Sequence, residues 1–251
     1  MSGRGVLIFL LVMGWLVSTT MARSPEERFV EAAVAYDGGE YADAIRLYQQ
    51  LLRDGFMAAE LYYNLGNAWY RQGDVGQAVL HYLKALYLRP RDADARHNLA
   101  FVMHDAGALA GEQGWVVQGF RRLSRGEWVT LAVIFWWLTG GLVCLALWMN
   151  RGTSWGLPIG VCLLLAVVSL QGANVWRGLE QRPELVVVER GQDALFAPLE
   201  GSTPHFALPK GSIVRVDSAT EGWYRVRVGD RDGWVRQRAV VPVRPGSVVV
   251  D

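Results

Sequence analysis

The 251 residues of this chain are 51% hydrophobic, which is a high fraction for a soluble protein. The formal net charge of +1 supplies no electrostatic footprint for nucleic acid, so we exclude nucleic acid as a partner. Both cysteines, Cys144 and Cys162, fall within apolar runs, and the polar segments therefore cannot form a disulfide.

The first 22 residues are typical of an export signal. Arg4 provides a positive start, residues 6–17 form an apolar middle, and residues 20–22 form a small-residue site that can precede cleavage. Thr20 is larger than the residue that cleavage prefers at that place. Residues 1–22 are therefore either a cleaved signal peptide or an uncleaved signal anchor. Either form directs the chain from residue 23 onward across the membrane.

A helical pattern that repeats every 34 residues begins at Pro25. The second copy fits the tetratricopeptide consensus at Tyr62, Leu65, Gly66, Trp69, Ala78, Tyr82, Ala85 and Pro90. Small residues at Gly66 and Ala78 predict two antiparallel helices that cross closely, and Pro90 predicts where the second helix ends. We therefore predict an all-α tetratricopeptide array over residues 25–104, made of two units and one closing helix.

The tetratricopeptide resemblance implies a concave surface formed by the first helix of each unit. By register, the first copy contributes Phe29, Ala33 and Tyr36, the second copy contributes Tyr63, Asn67 and Tyr70, and the closing helix contributes His97. We expect an aromatic groove with one amide that holds a peptide backbone group. Alternatively, some of the tyrosines simply pack between units. The basic pairs that would clamp a C-terminal carboxylate are missing.

Residues 105–127 predict a flexible tether that ends in a short interfacial segment. Trp115, Phe120 and Leu123 are interleaved with Arg121 and other arginines, which suits a helix lying in the lipid headgroup layer. The alternative is a polar linker with stray apolar residues.

Two long apolar runs, residues 128–149 and 155–176, predict two transmembrane helices. A bilayer core about 30 Å thick requires roughly 20 apolar residues of helix. The short connection around Arg151 makes the two helices an antiparallel hairpin, so both flanking regions lie on one side of the membrane. Arginines such as Arg125 and Arg177 favour a cytoplasmic side. The export signal favours the opposite side, which we adopt because the first apolar segment usually dominates orientation.

Residues 183–245 predict a small all-β barrel. Its short β-branched runs are residues 185–188, 213–216, 224–228, 233–235 and 240–243, and turn residues separate them. The sequences LPKG at 208–211, GWYRV at 222–226 and DGWV at 232–235 resemble bacterial SH3-like domains.

That resemblance implies binding of peptides or cell-wall material. Trp223 and Trp234 either line a binding surface or pack in the core. The long segment 191–207 fits the variable loop that flanks the ligand groove of SH3 folds, and its Phe196 and Phe206 are candidate contacts.

Catalytic chemistry is not predicted. The chain has no H-E-x-x-H and no phosphate-binding loop. His81, His97 and His104 lack companion cysteines or carboxylates at metal-ligand spacing, so we predict no metal and no cofactor.

The order of these segments resembles that of the BatE proteins of the aerotolerance operons. The resemblance implies membrane proteins with von Willebrand factor A domains, and a MoxR-type ATPase, as partners. It implies a non-enzymatic scaffold of the bacterial inner (cytoplasmic) membrane, with both soluble domains facing the periplasm. The alternative is a cell-wall sensor whose SH3-like domain binds peptidoglycan.

Overall fold

The computed structural model describes residues 24–111, 119–120, 123–149, 155–181, 184–189 and 191–243. The predicted signal at 1–22, the connection around Arg151 and most of the predicted interfacial segment lie outside the described residues. In the described part of the chain, the helices are α1 (Pro25–Asp37), α2 (Tyr41–Arg53), α3 (Ala59–Arg71), α4 (Val75–Leu88), α5 (Ala93–Asp105), α6 (Arg125–Trp148) and α7 (Gly156–Gln181). The strands are β1 (Glu184–Val187), β2 (Gln192–Leu195), β3 (Pro204–Leu208), β4 (Ile213–Thr220), β5 (Trp223–Val228), β6 (Arg231–Arg236) and β7 (Val240–Pro242). The chain divides after Met57 into two compact units.

The first unit contains the helical pair α1–α2. Ser24 begins α1 with a capping box, because its hydroxyl oxygen accepts a hydrogen bond from the Glu27 backbone while the Glu27 carboxylate accepts one from the Ser24 backbone. The two helices bury Ala32, Ala44 and Tyr48 between them. This unit is the first tetratricopeptide copy.

The second unit begins with the antiparallel pair α3–α4, followed by α5. A Cβ atom added to Gly66 would lie 2.8 Å from the ring of Tyr82, so the helices cross where the sequence predicts. Asp74 caps α4 by accepting a hydrogen bond from the Gln77 backbone at 3.0 Å. The helix ends at Leu88, two residues before Pro90. The helical fold predicted for this region is confirmed.

Helices α6 and α7 are both long and apolar enough to cross a membrane. They pack along each other through small residues on α7, where Ala166, Ser169 and Ala173 are buried. Gly172 lies directly under the Trp128 ring, where a side chain would clash.

The remaining strands form a seven-stranded antiparallel sheet in the order β3-β2-β6-β5-β4-β1-β7. Five strands coincide with the predicted runs. The other two, β2 and β3, lie within residues 191–208, although the sequence pattern predicts a long loop over 191–207. Residues such as Gln192, Asp193 and Pro204 have low strand propensity and conceal the hairpin. The observed loop is therefore only residues 196–203.

Alternation along β5 shows which face of the sheet carries the core. Val226 and Val228 are buried in the core cluster, whereas Arg225 and Arg227 point outward. Leu185, Leu208, Val214 and Val235 complete that core from other strands. The all-β fold predicted for residues 183–245 is confirmed as a sheet consistent with an SH3-like domain.

Candidate interaction surfaces

The first unit places its predicted groove residues in aromatic pairs. Phe29 packs on the buried Tyr48 with ring centroids 5.6 Å apart, and Tyr36 packs edge-on against Tyr41 at 5.5 Å. Both Phe29 and Tyr36 are half-buried, as is Ala33. Their exposed edges are the part that a ligand of this unit can contact.

In the second unit, the predicted groove residues of α3 join α5 through a polar network. The Asn67 side-chain oxygen accepts hydrogen bonds from the Tyr82 hydroxyl at 2.7 Å and the Asn98 amide at 3.1 Å. The same Asn98 amide donates to the Tyr63 hydroxyl at 3.1 Å. The carbonyl side of Asn67 is thus used internally, and its NH2 group is the side left to meet a ligand.

The same side of the unit carries an exposed aromatic residue that the sequence analysis missed. The Phe101 side chain on α5 is 55% exposed and packs edge-on against the Tyr70 ring, with centroids 6.0 Å apart. The Tyr70 hydroxyl donates to the Asp105 carboxylate at 3.5 Å, and His97 is exposed one turn before Phe101. Phe101 lies 34 residues after Asn67, so the repeat register alone would have found it. The α3–α5 surface is defined here as Tyr63, Asn67, Tyr70, His97, Asn98 and Phe101.

Helix α4 packs directly against the β-sheet domain on another side. A Cβ atom on Gly76 would lie 2.9 Å from the Val187 carbonyl oxygen and 3.0 Å from the Val188 Cα atom. Only glycine permits so close an approach of helix and strand. Gly211 has a φ of +90°, and a Cβ atom there would lie 3.0 Å from Val75.

Charge and apolar packing reinforce this contact. The Lys210 ammonium lies 2.9 Å from the Asp74 carboxylate, with both side chains mostly buried. Val79 and Val186 are fully buried within one apolar cluster shared by the helices and strands. The α4–barrel joint is the set of contacts that Asp74, Gly76 and Val79 make with Val187, Lys210 and Gly211.

A second link comes from the segment after α5. The Ile213 backbone donates to the Leu109 carbonyl at 2.7 Å, and the Leu109 backbone donates to the Ser212 hydroxyl at 2.9 Å. The Leu109 side chain packs against the core of the β-sheet domain, and Ser212 is fully buried. The sequence predicts a flexible tether over residues 105–127. Leu109, however, is held against the β-sheet domain by these contacts.

The outer face of β5 and β6 carries alternating tryptophans and arginines. Trp223 pairs across the strands with Arg236, whose guanidinium lies 4.9 Å over the indole ring, and Arg225 pairs with Trp234. Trp223 is buried and Trp234 half-buried, yet both lie outside the core cluster of the domain. The tryptophan–arginine ladder is defined here as Trp223, Arg225, Arg227, Trp234 and Arg236.

Acidic partners hold the ladder's arginines. Hydrogen bonds from the Arg225 guanidinium lower the pKa of the Asp232 carboxyl. A hydrogen bond from Arg236 likewise lowers the pKa of Glu200. Each of these guanidinium groups is thereby oriented along the outer face of the sheet.

The two predicted phenylalanines of the domain have different positions. Phe196 is 61% exposed and stacks on the His205 ring at 4.2 Å. Phe206 is buried in the core, where it has little surface to offer a ligand. Leu199 is exposed in the same loop, so this loop presents two large apolar side chains, Phe196 and Leu199.

One histidine is buried without a metal-like environment. His81 on α4 stacks on Tyr62, and burial, with a smaller effect of the Lys84 charge, lowers its pKa to about 3. Burial also lowers the pKa of Lys84 and raises that of Tyr62. Among the described residues, no three His, Cys, Asp or Glu side chains are grouped to hold a metal ion.

Comparison with known families agrees with both folds. A tetratricopeptide repeat model matches residues 29–96, and a bacterial SH3 domain model matches residues 198–242. The chain therefore contains a tetratricopeptide repeat array and a bacterial SH3 domain. Tetratricopeptide and SH3 modules act in protein–protein interaction or in cell-wall binding.

Individual relatives are similar only over part of their length. The photosystem I assembly protein Ycf3 of Cyanophora paradoxa is 34% identical over 83 residues, which are 32% of this chain and 48% of that protein. Ycf3 of Synechococcus elongatus is 35% identical over 79 residues, 30% of this chain and 46% of that protein. A probable biofilm formation methyltransferase, WspC of Pseudomonas putida, is 44% identical over 54 residues, 22% of this chain and 13% of that protein. The chain spans about half the length of the Ycf3 relatives it matches.

Proposed function

We propose that this protein is a non-enzymatic, membrane-anchored scaffold. It presents the tetratricopeptide array and the SH3 domain for protein–protein interaction on the extracytoplasmic face of the bacterial inner membrane. Helices α6 and α7 are the anchor.

One observation carries the proposal: contacts join residues that precede the helical pair to residues that follow it. Leu109 lies before α6 and packs on the core of the SH3 domain, which lies after α7. Asp74 lies before α6 and Lys210 after α7, and the two likewise form an ion pair. A hairpin that returns to its starting side satisfies both contacts, so the two modules share one compartment and act as one platform.

The α3–α5 surface supports a partner segment with an apolar side chain and a free backbone carbonyl. Phe101 and Tyr70 offer aromatic area, and the Asn67 NH2 group offers a donor. The resemblance of the segment order to BatE proteins makes a von Willebrand factor A membrane protein the proposed partner. A MoxR-type ATPase completes the proposed complex.

The orientation is tested by cysteine labelling in cells. Single cysteines replace the exposed Phe56 and Leu199 in a chain that carries Cys144→Ala and Cys162→Ala. We expect a membrane-impermeant maleimide to label both positions before lysis. Labelling of one position only, or of both only after lysis, contradicts the proposed platform.

Partner binding is tested by capture from detergent extract with Phe101→Ala. We expect capture of the proposed partner to fall severalfold, because the substitution removes exposed aromatic area without breaking the polar network. Phe56→Ala is the matched control, since Phe56 is also an exposed phenylalanine but lies outside the α3–α5 surface. Equal capture by both variants removes this surface from the proposal. Tyr63 is a poorer choice, since its ring packs on Tyr82 and its hydroxyl accepts from Asn98.

A second candidate function is binding of peptidoglycan by the SH3 domain. The exposed Phe196–His205 stack favours it, because aromatic faces pack on sugars. The full chain in detergent is sedimented with purified cell wall, beside Phe196→Ala. Retention that Phe196→Ala abolishes supports wall binding, and no retention of the parent chain excludes it.

A further inference from the structure

Tryptophans mark both ends of the helical pair. In α6, Trp128 and Trp148 lie 20 residues apart, and Trp155 and Trp176 lie 21 residues apart along the returning chain. At about 1.5 Å per residue these separations are about 30 Å, which is the thickness of the bilayer hydrocarbon core. Trp136 and Trp137 lie in the middle of α6, so the length of the pair, rather than tryptophan alone, sets the two interfaces. Trp128 and Trp176 pack against protein at the end nearer the soluble modules, where one interface then lies.

Side-chain contacts connect this end of the helical pair to the end of α4. The Trp176 ring packs edge-on against Tyr87 with centroids 6.3 Å apart, and its indole N–H donates to the Leu123 carbonyl at 2.9 Å. The Arg91 guanidinium lies 2.7 Å from the Glu127 carboxylate at the start of α6. The last turn of α4 therefore lies at the same depth as the interfacial tryptophans.

The chemistry exposed at this point suits a headgroup layer. Leu88 is 45% exposed beside the partly exposed Tyr87. The side chains of Arg89 and Arg91 are also exposed. Aromatic and aliphatic groups that adjoin arginines enter the boundary between headgroups and acyl chains, where arginine meets phosphate. The α4 end is defined here as Tyr87, Leu88, Arg89 and Arg91.

We propose that the α4 end is seated in the phospholipid headgroup layer, so that the second tetratricopeptide unit rests on the bilayer as well as being tethered to it. The inference rests on the membrane anchoring proposed above. Continuity between the α4 end and the anchor, through Trp176 and Glu127, identifies lipid as the occupant.

The depth of the α4 end is measured with a nitroxide label. Single cysteines replace Leu88, Phe101 and Leu164 in the chain with Cys144→Ala and Cys162→Ala, reconstituted in nanodiscs of phosphatidylcholine and phosphatidylglycerol. Phe101 is the matched control, since it is an exposed apolar residue of α5 away from the anchor. Leu164, exposed in the middle of α7, tests the anchor itself. Circular dichroism checks that each labelled chain is folded.

Accessibility to oxygen and to a water-soluble nickel chelate separates the outcomes. We expect the oxygen-to-nickel ratio at position 88 to exceed that at 101 severalfold and to remain below that at 164. A ratio at 88 equal to that at 101 overturns the inference while a high ratio at 164 keeps the anchor. A low ratio at 164 overturns the anchoring and the inference with it. Exclusion of both reagents at 88 shows that protein, such as a second copy of the chain, covers the α4 end and also overturns it.

Discussion

The α4–barrel joint and the α3–α5 surface belong to the same unit but differ in residue type and in burial. The joint consists of glycines, buried valines and one ion pair, and Gly76 leaves no space for a methyl group. The α3–α5 surface consists of half-exposed aromatic and amide groups joined by hydrogen bonds. The difference indicates that the joint is a packed structural contact, whereas the α3–α5 surface keeps exposed groups that the proposed partner can reach.

The substitution Gly76→Val gives the strongest test of this contrast. A side chain at this position meets the backbone of Val187 and Val188, so we expect the free energy of unfolding to fall by about 3 kcal/mol. Urea titration in detergent micelles, followed by circular dichroism, measures the change. Gly126→Val is the control, because nothing lies within 4 Å of a Cβ atom there. Equal stability of the two variants would show that the joint is loose.

Acidification tests α4 itself, which carries part of the joint and supports the α3–α5 surface through the hydrogen bond from Tyr82 to Asn67. His81 is neutral in the folded chain because its pKa is about 3, below the ordinary 6.5, so the unfolded chain binds the proton first. Its stabilising contribution is present above pH 6.5 and is lost as pH falls toward 3. We expect a loss of about 2 kcal/mol between about pH 7 and pH 5, measured by urea titration at each pH. His81→Phe should remove this part of the slope, whereas the exposed His97→Phe should keep it.

Removing the charge at the joint should have a smaller effect. Asp74→Asn retains a side-chain oxygen for the helix cap but loses the ion pair with Lys210. We expect a cost of about 1 kcal/mol for Asp74→Asn or Lys210→Met, and a coupling of similar size in the double-mutant cycle. Additive single effects would show that the pair contributes nothing to the joint.

The α3–α5 surface should tolerate substitution best. Asn98→Ala removes the donor to Asn67 and Tyr63, but both groups are half-exposed and water replaces it. We expect a cost of only about 0.5 kcal/mol in the same urea titration. Asn64→Ala is the control, because Asn64 is a half-buried asparagine on α3, the helix that carries Asn67 and Tyr63. A cost as large as that of Gly76→Val would mean that this surface is also a structural joint.

Local register made the helical crossing predictable. Gly66 and Tyr82 occupy fixed positions of a known repeat, so their contact follows from spacing alone. The same 34-residue register also places Phe101 on the α3–α5 surface, although it was not among the predicted groove residues. In contrast, Gly76 appears in the sequence only as a weak helix former, because its partner Val187 lies more than a hundred residues away. Contacts between distant segments depend on shape, which no local pattern encodes.

The SH3 domain shows the same limit. The alternation in β5 and β6 predicted the hairpin, but β2 and β3 carry residues of low strand propensity. They are strands because β6 pairs with β2, which in turn pairs with β3. Trp223 illustrates a different difficulty. The sequence allowed Trp223 either to pack in the core or to lie exposed on a binding surface. In the structure it lies on the outer face, where Arg236 covers it.

Leu109 precedes the helical pair in the chain but packs on a domain that follows it. Translation releases this residue before the helical pair, yet the pocket that receives it forms only after β4 has been made. In a chain anchored as proposed, one that failed to return across the bilayer would leave the late domain with an open hydrophobic gap. Completion of that core therefore depends on a residue that precedes the helical pair in the chain.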